Sequence, residues 1–185
     1  MRVDRLIAAD LDVGVPAEAA QESPFDIVVA ADVLEHLRSP DRLLRELHDV
    51  CTPDTVLLAS VPNIRQWYPR LRIGLGRFDY DHRGILDATH MRFFTWRSFV
   101  ALAYRAGWLV ERRSLMGLPL EILEREGGPG LKRSVANAIR AVDGRARAVW
   151  PSLFAYQYVA VLSRDTARVV GQEPEREARA IAARH

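Results

Sequence analysis

The stretch FDIVVAA, residues 25–31, decides the fold. Apart from Asp26 it is wholly apolar, and Ile27, Val28 and Val29 are β-branched in succession. A continuous run of this kind, without polar alternation, marks a strand buried on both faces in a parallel sheet. Downstream, Ser39-Pro40-Asp41 opens a helix with proline in its first turn, and Leu43, Leu44, Leu47 and Val50 recur at the spacing of one helical face. Thr52-Pro53-Asp54 makes a turn, and Thr55 to Val61 (TVLLASV) forms a second buried strand stopped by Pro62-Asn63. Strand, helix and strand in this order make a βαβ unit with a right-handed crossover.

Upstream, Arg5 to Leu11 (RLIAADL) reads as another buried strand, carrying Asp10 at its carboxyl end, and the chain then runs as loop to Pro24 with a helical turn around Ala17 to Gln21. Residues 64–95 interleave Trp67, Tyr68, Phe78, Tyr80, Phe93 and Phe94 with arginines and show no strand period, which predicts loops and short helices over the top of the sheet. Helical spacing resumes over Trp96 to Ala106, Gly107 caps that helix, and a strand starts at Trp108. A helix is expected from Leu131 to Val149, a strand from Ala155 to Leu162, and a polar tail from Arg164 to His185.

The composition bounds the function. With 185 residues, 49% of them hydrophobic and 27% charged, the chain is sized for one globular domain rather than two. Its single cysteine, Cys51, excludes an internal disulfide and a cysteine-based zinc site. No apolar run is long enough to span a membrane, and Arg2, Asp4 and Arg5 stand where a signal peptide would need an apolar core, so a cytoplasmic location is expected. The formal net charge is only +2, but it is unevenly spread: residues 1–60 carry 5 basic and 12 acidic side chains, whereas residues 61–114 carry 10 and 4. An acidic part of the chain is followed by a basic one.

Five segments together resemble the downstream part of a class I S-adenosylmethionine-dependent methyltransferase: Phe25 to Pro40 (FDIVVAADVLEHLRSP), Val61-Pro62-Asn63, Arg83 to Asp87 (RGILD), Thr89 to Thr95 (THMRFFT) and Ala106-Gly107-Trp108. The THMRFFT segment is similar to the type 11, 12 and 23 methyltransferase domains. The resemblance implies an α/β fold, an incomplete Rossmann-like methyltransferase fold whose mostly parallel sheet ends in a C-terminal antiparallel strand. It covers residues 1–163, with 115–150 as a helical insertion before the last strand and 164–185 as a tail. The family's sheet order is 3-2-1-4-5-7-6. In the family, a strand, a glycine-rich turn, a helix and an acid-ended second strand precede the point matched by residue 5. Gly74 and Gly76, and Gly127, Gly128 and Gly130, lack the strand before them that such a turn requires. If Arg5 to Leu11 is the family's third strand, it either collapses onto Phe25 to Ala31 or leaves that strand as an exposed apolar edge, open to oligomerisation or to pairing with another chain.

The same resemblance assigns the cofactor, S-adenosylmethionine, to Asp10 as acceptor for the adenine amino group, to the Leu11 backbone, and to Ala31 at the methionine end. An ordinary loop-start cluster of Asp10 with Asp12 is the alternative. His36 is a candidate base for the acceptor's proton, because imidazole titrates near neutrality, or else a structural anchor for the helix start. His90 is a second candidate base, or a loop-packing residue. Some relatives bind magnesium through E-x-x-E-H; Asp32 stands where the first Glu would, and no metal is assigned. Arg65, Arg83 and Arg92 are candidates to hold an anionic small-molecule or glycan-type acceptor through bidentate contacts, against a solvated arginine-rich surface. No recognised nucleic-acid-binding module is present. Two functions follow: a methyltransferase domain, or a non-catalytic methyltransferase-like module that pairs with a partner chain.

Overall fold

A computed structural model of the chain describes residues 4–117 and 143–166. Four strands form one sheet: β1 (Phe25–Ala31), β2 (Cys51–Pro62), β3 (Trp108–Met116) and β4 (Gln157–Arg164). Their spatial order is β1-β2-β4-β3. β1 pairs parallel with β2, and β4 runs antiparallel to both β2 and β3, so three strands share one direction and the C-terminal strand opposes them. This order matches the 4-5-7-6 portion of the sheet that the resemblance implies, with the antiparallel strand in the expected place. The fold is mixed α/β and Rossmann-like, and the sheet is not closed.

Helix α1 is a single turn (Ala17–Ala20) before β1. α2 (Pro40–Glu46) crosses from β1 to β2 and tightens into a 3-10 turn over Leu47–Val50. α3 (Trp67–Gly74) follows β2. α4 (Trp96–Arg105) leads into β3, and α5 (Pro151–Phe154) is a turn before β4. Thr95 caps α4 by accepting from the Ser98 amide at 3.1 Å, while Ser98 Oγ accepts from the Thr95 amide at 2.9 Å. This reciprocal pairing satisfies two of the amides a helix start leaves open.

Among the described residues the core lies on one face of the sheet. Val28 and Ala30 of β1, Leu57, Ala59 and Val61 of β2, and Tyr158, Ala160 and Leu162 of β4 point the same way, as the pairings Val28↔Leu57, Ala30↔Ala59 and Ala59↔Ala160 require. Leu43 and Leu44 of α2, and Phe99, Val100 and Ala103 of α4, cover that face. Trp108 closes it at the far edge, fully buried, with Nε1 donating to the Leu44 carbonyl at 2.8 Å and its ring stacked on His48 at 4.7 Å. Gly107 makes the tight entry to β3 at φ 85; a Cβ there would sit 2.9 Å from His48 Nε2.

Three expectations are corrected. Arg5 to Leu11 is not a strand: residues 5–10 carry no regular structure, and Leu11 begins a turn in which the Val13 amide donates to the Asp10 carbonyl at 3.0 Å. A strand is held by ladder bonds to a neighbour, and no described strand lies beside this segment. Secondly, β1 is not buried on both faces, and of the two alternatives above it takes the exposed apolar edge. It is an edge among the described residues, with Ile27 62% and Val29 63% exposed. An apolar trough of about 330 Å³ runs along it, lined in part by Leu11, Val15, Val28, Val33 and Leu43. Thirdly, Thr52-Pro53-Asp54 lies within β2 as an irregularity: Phe25 pairs with Cys51 but Ile27 with Val56. Thr55 Oγ1 donates to the Phe25 carbonyl at 2.5 Å there.

The expected helix from Leu131 to Val149 lies outside the described residues up to 142, with helix present over 143–149, and most of the polar tail also lies outside them. No helix among the described residues is long and apolar enough to cross a membrane.

Candidate active site

Polar side chains gather beyond the carboxyl end of β1, the rim at which open α/β sheets bind ligands. Ala31 ends the strand, exposed, and Asp32 turns the chain at φ 53, a conformation few non-glycine residues adopt. The neighbouring strands hold it there. The Asp32 amide donates to Ser60 Oγ at 3.1 Å, its carboxylate accepts from Ser60 Oγ at 3.3 Å and from Gln157 Nε2, and Gln157 Nε2 also reaches Ser60 Oγ at 2.8 Å.

The chain next forms a 3-10 turn over Leu34–His36 that buries Leu34 and Glu35 completely enough to leave them 0% and 1% exposed. The Glu35 carbonyl accepts from the amides of Met91 and Arg92 at 2.8 and 2.9 Å. These two bonds dock the THMR segment against the turn, and so bring together histidines 54 positions apart in sequence. The rings of His36 and His90 meet edge to face with centroids 4.8 Å apart.

Each imidazole is oriented through Nδ1. His36 Nδ1 lies 3.2 Å from the Thr89 carbonyl and His90 Nδ1 lies 3.1 Å from the Ile85 carbonyl. A carbonyl can only accept, so Nδ1 carries the hydrogen and Nε2 keeps a lone pair in the neutral ring. Burial depresses the His90 pKa below the usual imidazole value, which favours that neutral form. Asp87 accepts from the Thr89 hydroxyl at 2.7 Å and amide at 2.8 Å, and the hydroxyl bond is the main cause of its lowered pKa.

Glu35 completes the group. Among the described residues no donor meets hydrogen-bond geometry at its carboxylate oxygens, which lie close to the Asp32 carboxylate. Burial, reinforced by the Asp32 charge nearby, pushes its pKa up to about 7. One ligand atom from each of Glu35, His36 and His90 lies within 4.8 Å of the others.

The other sequence candidates are placed as follows. Asp10 is exposed, one carboxylate oxygen accepting from the Asp12 amide at 2.9 Å, and Leu11 packs beside β1. They lie on a turn rather than at a strand end. Arg65 and Arg92 are exposed, but the Arg92 guanidinium donates to the Arg38 carbonyl, which ties the docked segment to the start of α2. Arg83 is exposed beside Gly84. Arg72 is committed to Asp81 at 2.7 Å. Ser60 and Gln157, which set the Asp32 turn, were not legible as site residues: a serine inside TVLLASV and a glutamine before a strand carry no local signal.

Residues 5–112, more than half of the chain, match the family model described as Methyltransferase domain, type 23. The chain belongs to the S-adenosylmethionine-dependent methyltransferases. Solved structures similar to this methyltransferase domain include the mitomycin 7-O-methyltransferase, 15% identical with a TM-score of 0.47, covering 86% of this chain and 33% of that one. A SAM-dependent methyltransferase from Archaeoglobus fulgidus is 16% identical with a TM-score of 0.48, covering 85% and 66%. The O-methyltransferase of a trans-AT PKS multienzyme from Brevibacillus brevis, solved with S-adenosyl-L-homocysteine, is 11% identical with a TM-score of 0.46, covering 87% and 50%. The methyltransferase domain thus spans between a third and two thirds of the length of these structures. No curated protein matches the chain.

Proposed function

We propose that this chain supplies the acceptor side of a methyltransferase active site, transferring a methyl group to an oxygen or nitrogen of a small-molecule or glycan-type acceptor. The observation that carries this reading is the convergence of His36, His90 and Glu35 beyond Ala31, at the ligand-binding rim of the sheet. Asp10 fits an adenine amino group chemically, because its exposed carboxylate retains acceptor capacity beyond the single Asp12 bond. Ala31, exposed at the strand end, leaves the backbone open to the methionine end of the cofactor.

When bound, S-adenosylmethionine supplies a methyl group already activated on a sulfonium sulfur. The chain's task is then alignment, exclusion of water and removal of one proton. His36 Nε2 takes the proton as the acceptor atom becomes nucleophilic, and His90 Nε2 is the alternative site for it. The Thr89 and Ile85 carbonyls hold the two rings in the tautomer this requires. Arg65 and Arg83, both exposed, are candidates to meet an anionic acceptor group. Arg92 acts first on the Arg38 carbonyl and so positions the His90 segment.

A second reading is favoured by the exposed edge of β1. Ile27 and Val29 and the apolar trough beside them suit an added strand from a partner chain, which would make the domain a binding module. Titration of the isotope-labelled chain with S-adenosylhomocysteine separates the two. The catalytic reading expects weak binding, with amide shifts concentrated at Ala31, Asp32, Asp10 and Leu11. No shift at these positions at millimolar ligand would leave the binding module as the better description.

A further inference from the structure

We propose that α3 and the loop after it, residues 67–80, dock on the surface of an anionic phospholipid bilayer, lying at the interface without crossing it. The claim of binding stands on this surface alone. That the acceptor is then met at the membrane, as a lipid-linked molecule, rests on the function proposed above.

Three observations carry it. First, exposed apolar side chains concentrate here. Among the described residues, seven of the sixteen exposed large hydrophobic side chains fall between Trp67 and Tyr80, with Leu71 54%, Ile73 51% and Leu75 67% exposed. The element is inside out. Of α3 only Pro69 is buried, and what faces the body of the domain is polar. Gln66 caps the helix by accepting from the Tyr68 amide at 2.8 Å, and Arg72, 17% exposed, donates to Asp81 at 2.7 Å and to the Asp79 carbonyl at 2.9 Å. Water disfavours apolar side chains turned outward in a group, and such a patch marks an interaction surface. Secondly, the patch is basic. Residues 65–83 carry five arginines and two aspartates, a net of +3. Both aspartates pair with Arg72, at 2.7 and 3.7 Å. Arg65, Arg70 and Arg77 are exposed and have no acid partner among the described residues. Thirdly, Trp67 and Tyr68 stand at the start of the helix, with Phe78 and Tyr80 in ring contact at 5.7 Å beyond its end. Tryptophan and tyrosine beside arginine and aliphatic side chains are the composition of elements that lie in a membrane interface.

The charge selects the occupant. A second copy meeting this patch across a two-fold axis would set Arg70 and Arg77 against their own counterparts. Single-stranded nucleic acid would stack on the rings but has no use for Leu71, Ile73 and Leu75. Phosphate headgroups above acyl chains satisfy both halves: the guanidinium groups take the phosphates, and the apolar side chains enter the boundary beneath. The patch also borders the site. The pair Arg72–Asp81 ties α3 to a loop in which the Asp81 amide donates to the Leu86 carbonyl at 2.8 Å. Phe78 meets Phe93 at 6.3 Å, and Phe93 lies 6.4 Å from the His90 ring. Docking through α3 therefore holds the histidine pair close to the membrane surface.

The test is co-sedimentation of the untagged 185-residue chain with vesicles of phosphatidylcholine, alone or mixed equally with phosphatidylglycerol. The mixed vesicles should bind at least about 10-fold more tightly than the neutral ones, and ~0.5 M salt should release the chain. Leu71→Glu combined with Phe78→Glu should abolish sedimentation. Arg70→Glu combined with Arg77→Glu should weaken it at least about 10-fold, whereas Val149→Glu, at a side chain exposed elsewhere, should leave it unchanged. Circular dichroism confirms that the variants are folded. Lipids brominated in the acyl chain should quench emission of the parent chain, and Trp67→Phe should remove most of that quenching. Equal affinity for the two kinds of vesicle, or binding indifferent to Leu71→Glu with Phe78→Glu, would overturn the proposal. So would a dimer formed without lipid and dispersed by that variant, which gives the patch to a second copy. Titration of the same chain with S-adenosylhomocysteine keeps the two readings separate. Shifts at Ala31 without vesicle binding remove only the membrane; vesicle binding without those shifts removes only the methyl-transfer reading.

Discussion

In EDTA, the parent chain should lose roughly 2–3 kcal/mol of stability between pH 5 and pH 8.5 that a Glu35→Gln variant does not lose. Glu35 has its pKa raised from 4.5 to about 7, burial being the largest cause and the Asp32 charge a smaller one. Between these values the folded chain holds a proton that the unfolded chain has released. The group's contribution is therefore fully present below about pH 4.5 and disappears as pH rises through 7. At ~1.4 kcal/mol per pH unit, the whole span is worth roughly 3 kcal/mol. Above it the fold contains an ionised carboxylate, 1% exposed, beside the Asp32 charge. Glutamine keeps the shape without the charge, so the variant should exceed the parent in stability at pH 8.5 and follow a flatter curve. Urea unfolding at the two pH values measures this. Parallel curves for the two proteins would mean that the carboxylate is already compensated.

The second large effect is expected at Trp108. Its side chain is 0% exposed, stacks on His48 and donates to the Leu44 carbonyl, joining β3, α2 and the Leu47–Val50 turn. Trp108→Ala removes that volume and leaves the carbonyl without its donor, which should cost about 3–5 kcal/mol. Against a typical domain stability of about 5–15 kcal/mol, this threatens folding at 37 °C. Trp108→Phe separates the terms. It keeps most of the packing and loses the hydrogen bond, and should cost about 1–3 kcal/mol. A loss below about 1 kcal/mol for the alanine variant, measured by urea unfolding, would show that the core does not depend on this residue.

The β1-α2-β2 unit was readable because its signals are local: a continuous apolar run, a proline-led helix and a second run closed by Pro62-Asn63. α4 was readable for the same reason, through Phe99, Val100, Leu102 and Ala103 on one face and Gly107 after it. Arg5 to Leu11 was misread because apolar content alone does not make a strand. Its ladder partners decide, and those are a tertiary property. The burial of FDIVVAA on both faces failed on the same ground, since nothing within the stretch specifies what lies beside it.

The site divides in a similar way. VLEH and THMRFFT announced two histidines and an acid, but not that the Glu35 carbonyl would draw the second segment onto the first. Sequence names a glutamate; it does not say that its carboxylate is buried beside that of Asp32. That fact follows from the 3-10 turn after Asp32, and the turn depends on Ser60 and Gln157 contributed by other strands.

In the proposed function the cofactor's reactive end meets the histidine pair at the carboxyl end of β1. A crystal structure of the chain with S-adenosylhomocysteine at millimolar concentration tests this most directly. Density is expected for the homocysteine portion against the Ala31 backbone, with its sulfur on the side of His36 and His90. Ordered ligand elsewhere, or bound at Ala31 with its sulfur turned away from both imidazoles, would contradict it.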